Sequence, residues 1–154
     1  MAIAACIAAV AIFGFVVFGQ HTWVVLRNGR TNEIIAKYPA EQGDRCSIEF
    51  THSVNKTPVR DEYVITEEGE FHNDCCVYYG FGAGVQTELA EGEKLRYEDG
   101  AMIIEGIEKY YPQLTYGILP TSTHVFRVNE EEVFLPDLIE EELIMVFTYE
   151  WHLF

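Results

Sequence analysis

The chain reads as an all-β protein, a small antiparallel sandwich or barrel-like domain preceded by one N-terminal transmembrane or signal-anchor helix. Three observations predict this. Short apolar stretches alternate with polar residues at period two through most of the chain, as half-buried strands do. Turn residues interrupt those stretches every roughly eight to twelve residues, the rhythm of a sandwich or barrel. An unbroken apolar run precedes them all.

That run, Ala2 to Gly19, has no charge and no strongly polar side chain. It is near the minimum length for crossing a bilayer as a helix and longer than most signal-peptide apolar regions. Read as an anchor, it assigns residues 1–20 to the membrane segment and residues 21–154 to one β domain. Read as a signal peptide, it is cut near Gly19. The basic stretch that precedes either kind of segment is missing. Ile3-Ala4-Ala5-Cys6 resembles a lipoprotein processing box only superficially, because too few residues precede it and a long apolar stretch follows. A core helix would keep a polar stripe, which this run lacks. The anchor is the favoured reading. A positive-inside count on Arg27 and Arg30 would hold the body in the cytoplasm. The two arginines bracket the hairpin dipeptide Asn28-Gly29 and so belong to the folded body. The localisation expected is therefore the cell membrane, with the body extracytoplasmic.

Beyond the run, strands are expected at Trp23 to Leu26 and Glu33 to Tyr38, then at Cys46 to His52, where Cys46, Ile48 and Phe50 alternate with Ser47, Glu49 and Thr51. Further strands are expected at Thr57 to Thr66, Phe71 to Tyr79, Ala101 to Ile107, Leu114 to Ile118, His124 to Val128, Glu132 to Leu135 and Leu143 to Tyr149. Ile104 to Tyr111 also fits a short helix. Pro58 has no amide hydrogen to give a ladder and belongs at the start of a strand or on an edge. Asn55-Lys56-Thr57-Pro58 therefore predicts a tight hairpin. The terminal Trp151-His152-Leu153-Phe154 is expected to pack back on the domain rather than to form a partner surface.

The chain has 25 acidic residues against 10 basic ones, a net charge of −15. Such a surface repels phosphate backbones, which excludes nucleic acid as the expected partner. Cys6 lies in the apolar run, and Cys46, Cys75 and Cys76 remain. Three cysteines make no disulfide framework and lack zinc-finger spacing. Cys75 and Cys76 are strand neighbours whose side chains point to opposite faces. One of them pairs with Cys46 in an oxidising compartment, or all three stay buried and free.

The most distinctive stretch is Phe50-Thr51-His52-Ser53-Val54-Asn55-Lys56-Thr57-Pro58-Val59-Arg60-Asp61-Glu62-Tyr63, followed by Gly80-Phe81-Gly82-Ala83-Gly84. Together with His124 to Leu135, which ends in a Leu-Pro-Asp-Leu run, these blocks resemble a family of small exported proteins, domain-of-unknown-function family eighteen-fifty. Gln86 departs from the proline that the family pattern would place after the glycine block. The resemblance implies a protein encoded beside, or fused to, the membrane subunits of TAXI-type TRAP transporters. It implies as partner a TRAP transporter membrane subunit or solute receptor, with no established chemistry.

No catalytic set is recognisable, and no cofactor is expected. The binding candidates are His52, Ser53, Lys56, Thr57 and Glu62 on the hairpin and Gly82 and Gly84 in the glycine block. His52 is more often a hydrogen-bonded structural residue than a base, and Ser53 beside it makes no nucleophile pair, since strand neighbours face opposite ways. Glu62 is expected to bond the hairpin backbone or Lys56. A metal would need three or four of His52, Glu62, His72, Asp74, His124 and the cysteines to converge, and no two histidines show ligand spacing. The glycine block lacks phosphate-loop spacing and reads as a tight turn. The leading expectation is a non-catalytic accessory domain of a transporter. The alternative is a small-ligand or metal-binding module built on His52 and Glu62.

Overall fold

In the computed structural model, residues 22–80 and 88–152 are described. The expected membrane helix over residues 2–19, Gly82 and Gly84, and the final Leu153-Phe154 lie outside them. Among the described residues no helix is long and apolar enough to cross a membrane.

Among the described residues eleven strands follow one another: β1 Thr22–Asn28, β2 Ile34–Pro39, β3 Arg45–Thr51, β4 Pro58–Ile65, β5 Phe71–Tyr78, β6 Lys94–Glu98, β7 Ala101–Tyr111, β8 Leu114–Ile118, β9 Val125–Val128, β10 Glu131–Phe134 and β11 Leu143–Trp151. The only helical element among the described residues is a 3₁₀ turn, Leu135–Leu138. A four-stranded sheet runs β2-β1-β11-β8 and a seven-stranded sheet runs β10-β9-β3-β4-β5-β7-β6. Every pairing is antiparallel. Of the two architectures expected, this is the sandwich.

The period-two pattern explains the layers. Val24 and Leu26 in β1, Leu114 and Ile118 in β8, and Met145 and Phe147 in β11 meet Ile48, Tyr63, Ile65, Phe71, Phe126 and Val128 from the larger sheet in one buried cluster. Phe126 and Phe147 join the two layers with ring centroids 5.2 Å apart. Toward β6, the larger sheet carries apolar groups on both faces. Cys75, Val77, Ala101 and Ile103 form one cluster, and Cys76, Met102, Ile104 and Ile107 another. The neighbouring cysteines thus sit on opposite faces, as their spacing requires. All three described thiols are buried and free.

Four sequence expectations need correction. Ile104 to Tyr111 is strand, part of β7, with an irregularity where β5 skips from Asn73 to Cys75 and Gly106 takes φ +74°. β6 was not foreseen, although Leu95 and Tyr97 alternate with Lys94, Arg96 and Glu98; all five of its residues are exposed. The first hairpin does not turn on a two-residue Asn28-Gly29 loop. Asn28 Oδ1 accepts the amides of Arg30 and Thr31, and Asn32 takes φ 62° before β2 begins. Trp151 ends β11 opposite Thr22 at 62 % exposure instead of packing into the core.

The sandwich has two distinct poles. At one, where the chain enters β1, Thr22 Oγ1 donates to the Ala40 carbonyl at 2.6 Å and Asn129 Nδ2 donates to Asp44 Oδ2 at 2.8 Å. At the other lie the β1–β2 turn, the β3–β4 hairpin and the Leu138–Leu143 segment. The seven residues of β3 separate the poles by about 20 Å at roughly 3.3 Å per residue.

On the outer face of the smaller sheet, Arg27 Nε and Nη2 donate to the two oxygens of Glu150 at 2.9 and 2.7 Å. These bonds, aided by Thr148 and His152, hold the Glu150 carboxyl at about 2. A depressed carboxyl stabilises the fold above its unfolded value and loses that contribution as pH falls through the folded one. Glu150→Gln is expected to cost about 1–2 kcal/mol at neutral pH. In urea denaturation across pH, its deficit relative to the native chain should shrink from about pH 4.3 downward. A deficit that stayed constant to pH 2 would mean the pair contributes nothing.

Candidate functional site

The hairpin that carries the sequence motif is closed by its own histidine. His52 N–H donates to the Thr57 carbonyl, and Lys56 N–H to the His52 carbonyl, both at 2.9 Å. Lys56 takes φ 56° to complete the four-residue loop. The His52 Nδ1 accepts the amides of Val54 and Asn55 at 3.3 and 3.4 Å and so caps the turn. Ser53 and Lys56 are exposed, whereas His52 and Thr57 are half-buried. Pro58 opens β4, as its missing amide demands, and its carbonyl accepts the Tyr79 amide. Thr57 lies so close to Gly80 that a Cβ there would meet Thr57 Cγ2 at 2.5 Å. The two blocks of the motif are therefore in contact, and a glycine is required at the meeting point.

Glu62 is not part of this group. It pairs with Ser47, five positions before His52, which puts it about 16 Å along the sheet. It faces outward with Arg60, which donates to Glu62 Oε1 at 2.9 Å, rather than bonding Lys56. That pair continues a charge ladder across the outer face. Arg60 and Arg127 lie 3.8 and 3.6 Å from Glu49 Oε2, and Arg127 Nε reaches Glu132 at 2.7 Å. His72 stacks on Tyr110 with its Nε2 bonded to the Ile107 carbonyl. His124 stacks on Phe50, with its Nδ1 2.9 Å from Ser122 Oγ, and burial lowers its pKa. Among the described residues no three histidine, cysteine or acidic side chains are grouped to hold a metal.

The polar constellation that the fold does assemble lies on the inner face, and sequence reasoning missed it. Val59, Asp61, Tyr63 and Ile65 share the inward row of β4, so Asp61 points between the sheets. Tyr116, reaching across from β8, donates to Asp61 Oδ2 at 2.9 Å, and the Cys76 thiol donates to Asp61 Oδ1 at 3.0 Å. The Tyr63 hydroxyl lies 2.7 Å from that of Tyr116, and since Tyr116 gives its proton to Asp61, Tyr63 donates to it. Behind them the buried Asn73 donates to the carbonyls of Glu62 and Cys75 across the bulge. Burial first, and the Asp61 charge second, push both phenols and the Cys76 thiol above their ordinary values. At neutral pH all three keep their protons; Tyr116 and Cys76 donate to Asp61, and Tyr63 donates to Tyr116. A thiol held in this way is inert as a nucleophile. The signal in the sequence was an acid on an otherwise apolar inward row.

These groups depend on one another. Removing one partner of a buried hydrogen bond leaves the other unsatisfied and costs about 1–3 kcal/mol. Tyr116→Phe and Asp61→Asn are each expected to destabilise the fold by that amount in chemical denaturation. The double variant should cost less than the sum, with a coupling of about 0.5–3 kcal/mol. Strict additivity would show that the two side chains do not interact.

No curated protein matches the chain, and neither does any solved structure. One family profile does match, over residues 46–135. That span runs from β3 to the start of the 3₁₀ turn and contains the hairpin, the glycine block, Asp61, Cys76 and Tyr116. It covers more than half of the chain, and the protein belongs to the family described as a domain of unknown function, DUF1850.

Proposed function

We propose that this protein is a membrane-anchored, extracytoplasmic accessory β-domain that associates, without catalysis, with a TAXI-type TRAP transporter through its membrane subunit or its solute receptor. On this reading residues 2–19 lie in the bilayer and hold the body against the outer side. The observation that carries it is the use the fold makes of its motif. His52 caps its own turn, Thr57 packs on Gly80, and Asp61 is enclosed by Tyr116 and Cys76. Polar groups of the matched span engaged in this way suit a body that presents a rigid surface to a partner. The uncharged run from Ala2 to Gly19 supports the anchoring, and the family likeness supports the choice of transporter. The combination of His52 with Glu62 as a ligand site has no shared geometry to favour it.

The test is recovery of the tagged full chain from membranes solubilised in mild detergent. Co-purification of a TRAP membrane subunit or solute receptor is the expected outcome. Recovery of neither, from membranes in which other complexes stay intact, would overturn the assignment.

A further inference from the structure

The pole that carries the motif hairpin also carries a groove. It lies between the β1–β2 turn and the Leu138–Leu143 segment and encloses about 770 Å³. Its floor is aliphatic, made by Ile34, Ile35, Leu138, Ile139 and Leu143. Ile34 is 46 % exposed there. Its rim is acidic: Glu33, Glu140, Glu141 and Glu142 face a single guanidinium, that of Arg30. The three consecutive glutamates are exposed, and among the described residues none of them has a cationic partner. The groove's lining residues lie outside the span that the family profile covers.

We infer that this groove is the docking site for a basic peptide segment of a protein partner, one that sets an aliphatic or aromatic side chain on the Ile34–Ile139 floor and lysines or arginines against Glu140, Glu141 and Glu142. The charge argument selects the occupant. A second copy of a chain with net charge −15 would bring one acidic rim against another. Anionic lipid and nucleic acid are repelled for the same reason. A free small cation would leave the aliphatic floor in water. A cationic segment with an apolar anchor satisfies both, with a desolvated centre and a charged edge, as protein interfaces are built. The pole is the one remote from Thr22, so the partner meets the body away from the point where the apolar run joins it. The inference deepens the accessory-domain reading and rests on it only for the partner's being a protein.

The experiment uses the full chain purified in a non-ionic detergent and a fluorescein-labelled peptide, Lys-Leu-Lys-Phe-Lys, followed by fluorescence anisotropy. A peptide with serine in place of Leu and Phe is the anchor control. The triple variant Glu140→Gln/Glu141→Gln/Glu142→Gln and the single variant Ile34→Thr are each expected to weaken binding about tenfold. A charge control at the opposite pole, Glu67→Gln/Glu68→Gln, should leave it unchanged, and melting points identify any variant that fails to fold. Equal binding of the serine peptide, or equal weakening by the opposite-pole control, would overturn the proposal in favour of diffuse attraction to an acidic surface. Sedimentation showing a dimer that the triple variant alters would overturn it in favour of a second copy. Because the probe is a synthetic peptide, these outcomes are independent of whether a transporter subunit co-purifies.

Discussion

The two sheets are held in register by a polar contact inside an apolar layer. Asp61 projects inward from β4, and Tyr116 comes down from β8, the edge strand of the smaller sheet, to donate to it. Buried alone, a carboxyl group would cost more than any single core contact returns. Enclosed by Tyr116 and Cys76, with Tyr63 donating to Tyr116, its oxygens are satisfied at 2.9 and 3.0 Å. Directional bonds of this kind admit one offset between the layers, whereas aliphatic packing tolerates sliding. Tyr116 also stacks edge-on against Phe147 and His124 and leans on Phe50, which ties the contact to the main core and to the motif pole.

This arrangement accounts for the shape of the family motif. The hairpin residues and the glycine block are distant in sequence but touch at Thr57 and Gly80. From there β4 runs inward to Asp61, and β5 pairs with it so that Cys76 lies opposite Asp61. The matched span therefore includes one corner of the sandwich, from an exposed turn to the half-buried, hydrogen-bonded carboxyl group of Asp61. The motif hairpin and the acidic groove both lie at the pole away from Thr22, and no residue of the hairpin lines the groove. A body with reactive groups capped and a shaped, charged pole is suited to association.

Much of this was legible in the sequence. The alternation of Cys46, Ile48 and Phe50 gave the inward row of β3 directly, and Pro58 marked the start of β4. The opposite orientations of Cys75 and Cys76 followed from strand geometry alone. What escaped did so for physical reasons. β6 alternates Leu95 and Tyr97 with Lys94, Arg96 and Glu98, but it is five residues long and exposed on both faces, between the turn residues Glu91-Gly92 and Asp99-Gly100. The bulge at Gly106 broke the alternation of β7 and imitated a helical period. Asn28 Oδ1 lengthened a turn that the Asn-Gly dipeptide suggested would be tight. The role of Asp61 was hidden because its partners, Tyr116 and Cys76, come from other strands, and pairing of strands remote in sequence is not written in local periodicity.

The most direct test is hydrogen exchange of the side-chain hydroxyls themselves. Proton NMR of the full chain should resolve phenolic hydroxyl signals for Tyr63 and Tyr116, each exchanging slowly with water and each lost in its Tyr→Phe variant. A Tyr116 hydroxyl averaged with solvent would contradict the account, because Asp61 would then be open to water and the joint between the sheets would not exist.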